Sequence, residues 1–116
     1  MNSGKVFLMD NLDRWEQTFT FAADRPFYDG HFPGDPITPG AHLIDFAART
    51  ISSIAKGVIL SGRNIKFLES IRPEQQVTLI VERGRGIDRF TYRYEVNGVV
   101  SASGEMVVRC DEEKNE

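Results

Sequence analysis

His31 and Asp45, fourteen positions apart, are the side chains of this sequence best suited to moving a proton. An imidazole with an ordinary pKa of about 6.5 is largely neutral at pH 7, so His31 can accept a proton and later return it. Asp45 stands within the apolar run Leu-Ile-Asp-Phe-Ala-Ala. A carboxylate there is costly unless it is paired, hydrogen-bonded or protonated, the states in which it can assist proton transfer. Between the two, residues 30–40 hold three prolines and three glycines. Each proline fixes its own φ and biases the residue before it toward extended backbone, so the loop has little freedom and can hold His31 still. The loop ends at Pro39, Gly40 and Ala41, where a helix begins. The first N–H groups of a helix lack intrahelical partners and carry partial positive charge, so Gly40 and Ala41 can bind an anionic oxygen.

The elements around this stretch follow from periodicity. Residues 41–57 contain good helix formers and no proline, with Gly57 as the expected stop. Leu43, Ile44, Phe46, Ala47, Ala48, Ile51, Ile54 and Ala55 fall on more than one face, which predicts a helix buried nearly all round. Residues 5–9 and 15–22 read as strands, the second with Trp15, Gln17, Phe19 and Phe21 on one face. After the helix, residues 57–62 read as a short connection with a strand starting at 58–60, and residues 63–69 alternate imperfectly. Val77, Leu79 and Val81 mark a cleaner strand, and so do Phe90, Tyr92, Tyr94 and Val96. The Asn97–Gly98 pair predicts a hairpin joining residues 89–96 to 99–109. One long helix and a meander of antiparallel strands make an α+β unit, a sheet curled around a single helix.

The segment His31-Phe-Pro-Gly-Asp-Pro-Ile-Thr-Pro-Gly40, followed by Asp45, resembles the active-site signature of the hotdog-fold 3-hydroxyacyl-acyl-carrier-protein dehydratases. The likeness is specific in the loop and extends more loosely over residues 19–109. It implies a curled antiparallel sheet around one central helix, with sheets joined across a homodimer or an assembly of dimers. It also implies conversion of 3-hydroxyacyl to trans-2-enoyl thioesters. His31 would take the C2 proton and the Gly40 and Ala41 N–H groups would face the thioester oxygen. Asp45 would either protonate the leaving hydroxyl or, ionised, orient it while His31 returns its proton. Phe32, Pro33, Gly34, Pro39, Thr38 and Arg49 would support the site, with a strained His31–Phe32 peptide. Thr38 stands where an apolar residue is usual, and Arg49 where a glutamine commonly supports the acid. At i+4, Arg49 can pair with Asp45. Phe46 is bulkier than the small residue common after the acid and would shorten or redirect an acyl channel. The resemblance implies no dissociable cofactor, since the pantetheine arm belongs to the substrate.

Some residues have plainer readings. His42 is expected in the first helical turn, facing solvent, and the aromatic set Trp15, Phe19, Phe21, Phe67, Phe90, Tyr92 and Tyr94 is expected in the core. Arg63, Lys66, Arg72, Arg83, Arg85 and Arg89 bias the C-terminal half toward positive charge, a solvated face that an acidic carrier protein can use. With 116 residues and 41% hydrophobic composition, one domain over residues 1–110 is expected, followed by a charged, disordered tail at 111–116. A net charge of −3 disfavours nucleic acid, and no apolar run is long enough for a membrane span, which predicts a cytoplasmic protein. One cysteine and two histidines, not at zinc-ligand spacing, imply no metal. Two rivals remain: a hotdog thioesterase in which Asp45 activates water, and a non-catalytic module that binds acyl chains or carrier protein.

Overall fold

The computed structural model describes residues 6–8, 13–24, 37–84, 86 and 88–110. The elements run β1 (Val6–Leu8), β2 (Arg14–Phe19), α1 (Gly40–Ala55), β3 (Gly57–Phe67), β4 (Val77–Arg83), β5 (Arg89–Val96) and β6 (Val99–Cys110). They form a six-stranded sheet in the order β1-β2-β4-β5-β6-β3, antiparallel at every pairing, with α1 packed on one face. The α+β arrangement expected from periodicity is present. The expected tail at 111–116 lies outside the described residues.

Alternation decides which side of the sheet meets the helix. Gln17, Leu79, Tyr94 and Ala102 align across β2, β4, β5 and β6, and Trp15, Val81, Tyr92 and Gly104 form the next row. Leu79, Val81, Tyr92, Tyr94 and Ala102 are buried in these rows, and Phe90 and Met106, paired in the row beyond, are buried too. The opposite face carries Arg14, Glu82, Arg93 and Glu95, with Arg14–Glu82 at 2.8 Å, Arg93–Glu82 at 3.1 Å and Arg93–Glu95 at 2.9 Å. Ile80 points to this charged face yet is buried there, next to Glu16 and Arg93 in register. Long charged side chains of this kind can cover an apolar neighbour with their aliphatic stems.

Helix α1 is amphipathic and not buried nearly all round. Leu43, Ala47, Ile51 and Ala55, spaced four apart, are buried, whereas Ala41, Asp45, Arg49 and Ser53 form the exposed stripe opposite. The intervening Ile44, Phe46, Ala48 and Ile54 are only partly covered by this chain. The helix ends one residue before the expected stop: Lys56 takes the left-handed conformation (φ 57°) and its N–H bonds to the Ser52 carbonyl. Gly57 already belongs to β3.

That strand is the main departure from the periodicity. The connection expected over 57–62 and the imperfect strand after it are one strand of 11 residues. Its pairing with β6 shifts register between Ile59 and Ser61 and again between Arg63 and Lys66, where Asn64 has a φ of 51°. These irregularities interrupt the alternation, which is why a period-2 reading splits the strand. The Asn97–Gly98 hairpin is present, with positive φ at both residues, 54° and 80°, as a primed turn requires.

Burial raises the pKa of both core tyrosines; Tyr92 and the Asp45 carboxylate push Tyr94 further in the same direction. Their folded values lie above the unfolded value of about 10. The fold therefore keeps protons that the unfolded chain releases, so stability is intact below a pH of about 10 and declines as pH rises past it. Each phenol adds a loss of up to about 1.4 kcal/mol per pH unit, and Tyr94→Phe flattens the decline. Urea unfolding followed with phenolate absorbance from roughly pH 9 to 12 checks this.

Candidate functional site at the start of α1

Pro39 is the residue from which α1 starts. Its φ of −62° and ψ of 141° are extended, and its carbonyl accepts the N–H groups of His42 at 3.0 Å and Leu43 at 3.2 Å. Proline offers no side-chain cap, and no acidic residue occupies the first turn. The positive end of the helix at Gly40 and Ala41 thus meets neither a capping side chain nor a first-turn carboxylate, which suits it to bind a developing negative oxygen. Just before it, Thr38 is buried and its N–H bonds to the Ile71 carbonyl at 2.7 Å. This bond ties the approach to the helix to the connection between β3 and β4.

The two segments line an open cleft of about 400 Å³ bordered by Thr38, Gly40, Leu43, Phe67, Glu69 and Ile71. The Phe67 ring lies directly on Gly40, where a Cβ would stand only 2.8 Å from the ring. Any other residue at position 40 must displace that ring. Sequence reasoning did not find this pairing, because residues 37–40 and 67–71 meet only after β3 has returned along the helix. Phe67, expected in the core, is instead exposed at the end of β3, as is Leu68 beside it, because β3 is an edge strand that this chain covers on one side only.

Asp45 is not embedded in apolar side chains within this chain. Its side chain is 54% exposed and its Oδ2 lies 3.0 Å from Arg49 Nε, itself 78% exposed. The i+4 pairing read from the sequence is present, and being open to solvent it contributes little to stability. Gly40 and Asp45, five residues apart on one helix, stand about 7.5 Å apart along its axis. Phe46 packs against Phe19 and Phe21, with ring centroids 4.8 and 5.7 Å away. His42 does not face solvent: its Nε2 is enclosed and its ring lies edge-on to Phe21 at 5.3 Å. His31, Phe32, Pro33 and Gly34, and with them the His31–Phe32 peptide, lie outside the described residues. Among the described residues, no cluster of His, Cys, Asp and Glu is placed to hold a metal, and no helix is long and apolar enough to cross a membrane.

The family model of ApeI-like dehydratases matches residues 9–105. The chain belongs to the ApeI-like dehydratase family. A curated relative, the 3-hydroxyacyl-[acyl-carrier-protein] dehydratase FabZ of Thiobacillus denitrificans, is 31% identical over 99 residues, covering 72% of this chain and 68% of its own. Among solved structures, the dehydratase heterocomplex ApeI:P from Xenorhabdus doucetiae superposes with a TM-score of 0.80 at 16% identity, covering 93% of this chain and 97% of that one. The (R)-hydratase from A. caviae involved in PHA biosynthesis gives 0.66 at 18% identity, covering 84% and 93%. These likenesses establish the hotdog fold, in which α1 is the central helix. In this ApeI-like dehydratase, the matched span includes both His31 and Asp45.

Two outcomes are expected from the geometry. Gly40→Ala pushes the Phe67 ring aside, and a double-variant cycle with Phe67→Ala, read by urea unfolding, gives a coupling of about 1 kcal/mol favouring the double variant. Arg49→Ala changes the stability of the single chain by less than about 0.5 kcal/mol in the same measurement, because within one chain the ion pair it removes is exposed.

Proposed function

We propose that this chain works as one hotdog domain over residues 1–110 that removes water from 3-hydroxyacyl thioesters carried on an acyl carrier protein. His31 accepts the C2 proton, and the electron pair left behind is delocalised onto the thioester oxygen, facing the Gly40 and Ala41 N–H groups. As the double bond forms between C2 and C3, the C3–O bond breaks. The departing hydroxyl gains a proton, from Asp45 or from His31, and leaves as water. The product is the trans-2-enoyl thioester. The reading calls for no dissociable cofactor, because the pantetheine arm arrives with the substrate.

The observation that carries this reading is the placement of Asp45 on the outward stripe of α1, away from its own sheet. A carboxylate so exposed is not desolvated by its own chain, and a second copy packed on this stripe would supply that cover. The homodimer expected from the resemblance meets that need, with the histidine of one chain facing the acid of the other. Val58, Leu60 and Phe67, exposed on the edge strand β3, give the second copy apolar surface to cover. Thr38 and Pro39 hold the helix start, Arg49 pairs with the Asp45 carboxylate, and Phe32, Pro33 and Gly34 belong to the loop that carries His31. Arg63 and Lys66 are exposed on the same strand and suit an acidic carrier protein. Arg83 is already engaged, 3.2 Å from Asp13 and over the Phe90 ring.

The test is to incubate the purified protein with 3-hydroxyacyl and enoyl carrier-protein thioesters of short, medium and long chains, following loss and gain of water by intact mass. His31→Ala and Asp45→Asn are each expected to slow exchange about 100-fold or more. No exchange at any length, from a folded dimer, would overturn the reading, and release of free thiol would replace it with a thioesterase.

A further inference from the structure

Helix α1 is pressed onto the sheet by apolar contacts, which resist separation but have no direction. Hydrogen bonds have direction, and among the described residues side-chain bonds link both halves of the helix to strands. Near its C-terminal end, Ser52 Oγ donates to the Gly57 carbonyl. In its N-terminal half, Tyr94 Oη donates to the Leu43 carbonyl at 2.7 Å. The Ala47 N–H, one helical turn on, also lies near this hydroxyl and acts to lower its pKa, against the rise that burial causes. Tyr94 is fully buried, with its ring edge-on to Tyr92, and it stands on β5 between β4 and β6, well inside the sheet. It is a rigid support that contacts the helix backbone itself.

That turn, residues 43–47, is the one from which Asp45 projects. The carboxylate is close enough to Tyr94 to raise its pKa, and its lateral partner Arg49 is a solvent-exposed side chain that offers little stiffness. Where Asp45 stands is thus decided by its backbone. We propose that Tyr94 is a positioning residue for Asp45: its hydroxyl, by holding the Leu43 carbonyl, fixes the height and rotation of the helical turn that carries the carboxylate. The inference rests on the reading of Asp45 as a participant in the dehydration. A shift of about 1 Å in such a group can cost roughly 100-fold in rate, so a bond that holds the turn matters even though it never touches substrate.

The experiment compares wild type, Tyr94→Phe, Asp45→Asn and the double variant in the hydration and dehydration assays, with melting and oligomeric state measured on each. Phenylalanine keeps the ring and removes the bond. Tyr94→Phe is expected to lower kcat by about 10-fold or more with KM unchanged. In the Asp45→Asn background the same change is expected to have no further effect, because there is no carboxylate left to misplace. Equal slowing in both backgrounds, or a Tyr94→Phe kcat within about twofold of wild type, would overturn the proposal. Asp45→Asn with full activity would overturn both this proposal and the reading it rests on, whereas an impaired Asp45→Asn beside an unimpaired Tyr94→Phe overturns this one alone. Amide hydrogen exchange gives a readout independent of turnover: Tyr94→Phe should speed exchange at Ala47 about tenfold while leaving Ile51 and Ala55 unchanged. Uniform acceleration along α1 would assign Tyr94 to general stability and overturn the positioning role.

Discussion

The stripe of Leu43, Ala47, Ile51 and Ala55 against the buried rows of the sheet is the contact on which the rest of this molecule depends. It fixes which face of α1 points inward, and hence that Asp45 and Arg49 point outward. The same contact leads the chain into α1 past Thr38, which is tied to Ile71. It also sets Gly40 beneath Phe67. Two small alanines in the stripe let the helix backbone approach the sheet closely, which brings the Leu43 carbonyl within reach of a tyrosine hydroxyl on β5. A bulkier stripe would hold the helix farther off.

The parts of the fold legible in the sequence are those governed by short-range rules. The period-2 sets Val77–Leu79–Val81 and Phe90–Tyr92–Tyr94 are buried as their alternation requires, and Asn97–Gly98 turns where its positive φ values permit. The helix was legible as a helix but its burial was not. Counting apolar residues around α1 overestimates what one sheet can cover, and the exposed Ala41, Asp45, Arg49 and Ser53 stripe shows the limit. β3 escaped because two register shifts break the alternation on which strand recognition depends. At the site, the Asp45–Arg49 pair was legible from helical spacing alone. The cleft between residues 37–40 and 67–71 was not, since nothing local signals a contact made after the chain has traversed both a helix and a strand.

Tyr94 illustrates how one residue can serve two levels of organisation. Its ring belongs to the apolar core, as its position in an alternating strand suggests, and its hydroxyl is spent on the helix backbone. A phenylalanine would satisfy the first demand alone. The choice of tyrosine at a site with no solvent access therefore carries information that burial pattern cannot, because a buried hydroxyl is tolerated only where it has partners.

The two borders of the sheet differ in kind. One is β3, 11 residues long with exposed apolar side chains, and the other is β1, 3 residues long. A neighbouring strand can align along the first, although the kinks near Ser61 and Asn64 restrict it to few alignments.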